Sequence, residues 1–203
     1  MIEQHADQFD EEFPERAPGS QEEFAASTYI LGHLQQAGYV PLLDSVPVGD
    51  LVESTNIVAL PAGDDAPETV VVASYDSPPS RGAGREIGAF LEVARALNVS
   101  SQGHSVGFVA LGAEHSERLG GSLGSRRLAQ FLTDKEFDPA IVVFGDLSGG
   151  AVTAQGAAAD SLSSERATGG ESHHALARAG FEVTAISGDP GDVADALLEF
   201  LAG

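Results

Sequence analysis

The stretch VVASYDSPPSRGAGREIGAF, residues 71–90, decides how the chain is read. An apolar run stops at Ser74, Asp76 follows two residues later, and a Pro/Gly-rich loop then opens into a helical pattern. α/β proteins place polar groups at strand ends in this way, so the stretch predicts a buried strand, a functional loop and a crossover helix.

The same alternation extends in both directions. Ser20-Gln21-Glu22-Glu23 has the form of a capping box, and Phe24, Thr28, Leu31 and Leu34 follow near helical spacing before Gly38, which predicts a first helix over 20–37. Short apolar runs at 56–60, 69–73, 106–111, 140–145 and 182–187 have strand character. Helical patterns lie at 86–98, 119–132, 173–179 and 190–202. The runs at 69–73, 106–111 and 140–145 are nearly continuous in Val, Ile, Leu, Phe and Ala, as expected of strands covered on both faces. The expected architecture is therefore α/β, a three-layer α/β/α sandwich around a mostly parallel, mixed sheet. No composition shift divides the 203 residues, so one domain over 1–203 is expected. The segment 149–172 is rich in Gly, Ala and Ser, shows no period, and reads as a long loop.

Charge narrows the classes of partner. The formal net charge is -21, from 31 Asp and Glu against 10 Lys and Arg, and Lys135 is the single lysine. Nucleic acid and anionic membrane would both be repelled. The carboxylates are spread among ordinary apolar segments (42% of the chain is hydrophobic), which marks a folded protein rather than an acidic tail. Without cysteine there is no disulfide, thiolate metal site or cysteine nucleophile. The opening MIEQHADQFDEEFPER has neither a basic n-region nor an apolar h-region, and no segment has the length of a membrane span, so a soluble cytoplasmic protein is expected.

In a mostly parallel sheet the C-terminal strand ends form one rim. Ser74 and Asp76, Glu114 and His115, and Asp146 and Ser148 would meet there, with His173 and His174 at a helix start ahead of the last strand. Carboxylates and imidazoles converging without cysteine suit zinc, and a glutamate beside a ligand can take a proton from bound water. Adjacent His173 and His174 point about 100° apart on a helix, so at most one readily faces the rim. In an acidic protein each of these carboxylates, taken singly, reads first as a solvated loop or capping residue. His5, His33 and His104 read as structural surface residues. A competing pattern, Gly120-Gly121-Ser122-Leu123-Gly124, fits G-x-S-x-G with the order Ser122, Asp146, His174, which would make a serine hydrolase. A nucleophile elbow needs a strand running straight into its serine, and GAEHSERL intervenes, so Ser122 reads as a helix-start residue.

These residues resemble the zinc aminopeptidase family that includes the glutaminyl cyclases. RAPGS with AASTYILGHLQQAGY is similar to that family's opening helix, and STNIVALPAG to its first central hairpin. VVASYDS resembles its His-x-Asp strand, RGAGREIGAFLEVARAL its Gly-Ala-Asp-Asn helix, and GFVALGAEHSERLGGS its Glu-Glu strand. VVFGDLSGG and SHHALARAGFEV resemble its Asn-Leu-Asp-Met strand and Ser-Asp-His segment. The resemblance implies one or two zinc ions on an α/β/α sandwich.

Carried over position by position, the resemblance implies a damaged site. Ser74 stands where the first zinc-ligand histidine belongs, while Asp76 keeps the carboxylate that would orient it. The bridging aspartate falls at about Gly84, next to Arg85. Glu114 matches the general base, His115 replaces a glutamate ligand, Asp146 matches the aspartate ligand and His174 the last histidine. Two dications need a shared carboxylate against their repulsion, so at most one zinc is expected, held by His115, Asp146 and His174. The alternative is that Arg85 replaces metal charge by pairing with Asp76 or Asp146. The short segment 147–173 and the absence of a counterpart to the family's tyrosine loop imply a shallow pocket.

The leading expectation is a relative with a degenerate two-metal site and no ordinary peptidase activity, acting in a binding or structural role. The alternative is a mono-zinc hydrolase in which Glu114 activates water against a peptide or amino-acid-like small molecule. The carboxylate excess with lysine depletion also suggests a halophilic source, because self-repulsion at this charge needs screening. The melting temperature is then expected to be higher in molar than in millimolar KCl, and equal melting in both would overturn that expectation.

Overall fold

The computed structural model describes residues 1–61, 66–76, 83–99, 105–115, 120–162 and 171–202. His104, the 77–82 part of the opening stretch and the 163–170 part of the expected loop lie outside them.

A mixed seven-stranded sheet runs in the order β1-β2-β4-β3-β5-β7-β6. Its strands are β1 (Leu42–Pro47), β2 (Glu53–Ala59), β3 (Thr69–Ser74), β4 (Val106–Leu111), β5 (Ala140–Phe144), β6 (Thr153–Gly156) and β7 (Val183–Ser187). β3 pairs in parallel with β4 and β5, and β5 with β7, while β1, β2 and β6 add antiparallel edges. The helices are α1 (Ile2–Glu12), α2 (Gln21–Gln36), α3 (Ala83–Val99), α4 (Leu123–Asp134), α5 (Ala159–Leu162), α6 (Glu171–Arg178) and α7 (Pro190–Ala202). No helix among the described residues is long and apolar enough to cross a membrane.

Alternating side chains of the central strands feed two cores. Val71, Ala73, Phe108, Ala110, Val142 and Phe144 face one side, where Phe9, Ile30, Phe90 and Leu197 of α1, α2, α3 and α7 cover them. Val70, Val72, Val109, Leu111, Ile141 and Val143 face the other, under Leu128 and Leu132 of α4 and Leu176 of α6. This two-sided burial is why the runs read as continuous rather than alternating.

The expected helix start at Ser20 is present: its side chain accepts from the Glu23 N–H, and α2 runs to Gln36. Two expectations are corrected. The first helix is α1, not α2, because Ile2, Ala6 and Phe9 form an apolar stripe too short to stand out in the acidic opening. The loop expected over 149–172 contains β6 and α5. A strand of only four residues, Thr-Ala-Gln-Gly at 153–156, gains its definition from pairing with β7 rather than from local propensity.

α3 and α4 carry the chain from β3 to β4 and from β4 to β5 across opposite faces of the sheet. The strand order reverses there, and in open α/β sheets ligands usually bind at the C-terminal strand ends beside such a reversal.

Candidate functional site

The three expected polar clusters do follow β3, β4 and β5, yet their side chains take different surroundings. Asp76 is buried, and its Oδ2 accepts from the His115 backbone N–H at 2.8 Å while Oδ1 lies 3.2 Å from His115 Nδ1. The carboxylate expected to orient a histidine at position 74 therefore orients one on the neighbouring strand end.

Glu114 is fully buried and turned toward α4 and α6. The Ser125 N–H donates to its Oε2 at 2.9 Å, and the Ser125 and Ser172 hydroxyls donate to Oε1 at 2.9 and 2.8 Å. Burial pushes its carboxyl up, against the pull of these three donors. The arrangement explains how α4 begins. Ser122 holds the N-cap position, as expected of a helix-start residue, but its side chain makes no capping bond and its backbone is left-handed (φ 57°). Glu114 supplies the capping carboxylate instead. Ala113, also left-handed at φ 52° and buried, sets the turn that delivers it, a strained conformation of the kind found at functional sites.

Asp146 and His174 are exposed. Asp146 Oδ1 accepts from the Ser148 N–H at 2.8 Å, a local turn within its own loop. Arg85 reaches neither Asp76 nor Asp146 as an ion pair but donates to the Ser148 carbonyl at 3.1 Å. Of the adjacent histidines, His173 is the buried one. Among the described residues no three His, Asp or Glu side chains form a group that could hold a metal ion.

Several residues at this end were not singled out from sequence. Glu86 lies in the first turns of α3, buried beneath Ser74, whose N–H points at its Oε2 at 3.5 Å. Burial holds the Glu86 carboxyl well above the usual range, and the Asp76 and Asp146 charges push the same way. Arg16, delivered by the segment after α1, is the large buried cation nearby. Its Nη2 lies 3.2 Å from Asp10 Oδ1, Nη1 donates to the Phe13 carbonyl, and its guanidinium sits 4.7 Å from the centre of the Phe9 ring. Its charge acts on Asp76 and Glu86. The position of the expected bridging aspartate is filled from α1: a Cβ on Gly84 would lie 2.5 Å from the Ala6 carbonyl oxygen and 2.6 Å from Asp10 Oδ2. One signal in the sequence pointed to Arg16, a basic residue ahead of Pro-Gly-Ser in a chain with 10 Lys and Arg against 31 Asp and Glu. Glu86, one acid among 31 Asp and Glu, carried none.

No family model matches the chain, and no curated relative does. Solved structures do. A leucine aminopeptidase precursor from Bacteroides thetaiotaomicron superposes with TM-score 0.79 at 16% identity, over 100% of this chain and 96% of that one. A glutaminyl cyclase of the same organism, bound to N-acetylhistamine, gives the same values. A Zn-dependent exopeptidase from Parabacteroides distasonis gives 0.78 at 14% identity, over 100% and 97%. At these identities the likeness is one of fold, and it agrees with the three-layer architecture expected from sequence.

Glu23 gives the site a pH dependence. Buried beneath it, Glu23 bonds the Ser54 hydroxyl and the Gly19 N–H (2.5 Å), and burial raises its carboxyl to about 7, with Asp76 adding to the rise. A carboxyl raised on folding favours the protonated native state, so its contribution is full below its unfolded value and is lost as pH rises through about 7. Melting measured across this window is expected to fall more steeply with rising pH for wild type than for Glu23→Gln. Parallel pH profiles would contradict the assignment.

Proposed function

We propose that this chain, which has the fold of Zn-dependent exopeptidases and glutaminyl cyclases, keeps that architecture without two-metal chemistry, lacks ordinary peptidase activity and acts as a binding or structural relative. The observation that carries this reading is the state of Glu114. A general base must present an oxygen to the water it activates, whereas both Glu114 oxygens are engaged by Ser125 and Ser172 inside the protein. Its work is to cap α4 and tie α4 to α6. The neighbouring carboxyls are answered by protein groups: the His115 N–H and imidazole at Asp76, and the Arg16 guanidinium acting on Asp76 and Glu86. Ser74 and Gly84, at the positions where the resemblance expects ligands, support the same reading.

A second reading has one observation in its favour. The His115–Asp76 pair has the form in which a carboxylate fixes the ring of a zinc-ligating histidine. In that reading one zinc would lower the pKa of a bound water, and His115, Asp146 and His174 would hold the ion beside a peptide or amino-acid-like small molecule.

Protein purified in high salt, without chelator, separates the two. The expected outcome is substoichiometric zinc, with no hydrolysis of a chromogenic amino-acid amide and no cyclisation of an N-terminal glutaminyl peptide, with or without added zinc. One zinc per chain that is lost in His174→Ala, together with either activity, would overturn the proposal.

A further inference from the structure

α1 touches the body in two ways. Against α3 it makes a close backbone contact: a Cβ on Gly88 would lie 2.6 Å from the Ile2 carbonyl oxygen, as one on Gly84 would crowd Ala6 and Asp10. This contact seats Ala6 and Asp10 on the start of α3, beside the strand ends, and places Asp10 against Arg16. Against α2 the contact is aromatic. His5 Nδ1 lies 2.6 Å from the Tyr29 hydroxyl, the His5 and His33 rings are 4.7 Å apart at 84°, and Tyr29 and His33 are 4.5 Å apart. Phe9 and Phe13 complete the cluster on Tyr29, at 5.7 and 5.9 Å.

We propose that α1 is an acid-released cover over the strand-end site, latched by the neutral His5–His33 contact and opened when the two imidazoles take up protons. Two imidazolium rings at this separation, half-buried on facing helices, would repel one another. Few other charges face them. Glu92 of α3 attracts a proton to His5, but its carboxylate is held by Arg95 at 2.6 Å, and the amino terminus opposes it. On the α2 side Tyr29 is kept neutral by burial and by the Glu12 carboxylate. Burial lowers both His5 and His33, and His33 lowers His5 further. A histidine lowered on folding favours the neutral docked state, so the latch is at full strength above the ordinary imidazole value and weakens as pH falls through the lowered ones. Release would withdraw Ala6 and Asp10 from Gly84 and part Asp10 from Arg16. The latch itself lies between α1 and α2, and it stands whether or not the strand-end site binds a metal.

Hydrogen exchange of the full chain tests it, with protection factors compared at about pH 7.5 and about pH 5, on either side of the imidazole range. Protection of the α1 amides in wild type is expected to fall by about tenfold per pH unit for each proton taken up on release, while the amides of β3 and β4 keep theirs. His33→Phe and His5→Phe preserve a ring without a titrating nitrogen, and each is expected to flatten the α1 response. Unchanged α1 protection in wild type at the lower pH would overturn the proposal. So would an α1 loss in both Phe variants equal to that of wild type, or a loss shared equally by β3 and β4.

Discussion

Four carboxyl groups, Glu23, Asp76, Glu86 and Glu114, are buried at the C-terminal end of one sheet, and each must be neutralised or hydrogen-bonded for the chain to fold. A carboxylate moved into the interior costs several kcal/mol, roughly half the stability of an ordinary domain, unless a partner accompanies it. Each has its own answer here. Glu114 has the N-terminus of α4 and two serines, and Asp76 has His115. Glu86 and Glu23 are raised by burial, which favours their neutral forms. Arg16 supplies positive charge to the group from the N-terminal segment. Much of the local architecture follows from these solutions: the start of α4, the junction of α4 with α6, and the docking of α1 and its following loop.

The two central strands β3 and β4 were legible because their apolar runs are unbroken, and a run covered on both faces leaves a plain mark in the sequence. The expected 106–111 strand coincides with β4, and β3 extends the expected 69–73 by Ser74. The edges were not. β1 and β6 have few buried residues and owe their definition to β2 and β7, a tertiary effect that local pattern does not carry. α1 was hidden for a related reason, since its stripe of Ile2, Ala6 and Phe9 becomes meaningful only against the glycine face of α3.

The site was legible as a list of positions but not as a set of directions. Asp76, Glu114, His115 and Asp146 do lie at the strand ends, as spacing required. Spacing could not show that Glu114 turns inward to α4, that Asp76 reaches across to His115, or that Asp146 spends an oxygen on Ser148. Those directions come from the left-handed residues Ala113 and Ser122 and from groups distant in sequence. Arg85, where a charge substitution was anticipated, stays on the Ser148 carbonyl, while the buried Arg16 beside Phe9 and Asp10 carries positive charge that favours the ionised form of Glu86.

The central claim is that protein groups, not a metal, satisfy the carboxyls at this sheet end. Crystals grown with excess zinc, measured on both sides of the zinc absorption edge, address it directly. No anomalous peak is expected among His115, Asp146 and His174, with Glu114 still bonded to Ser125 and Ser172. A fully occupied zinc between those three side chains would contradict it.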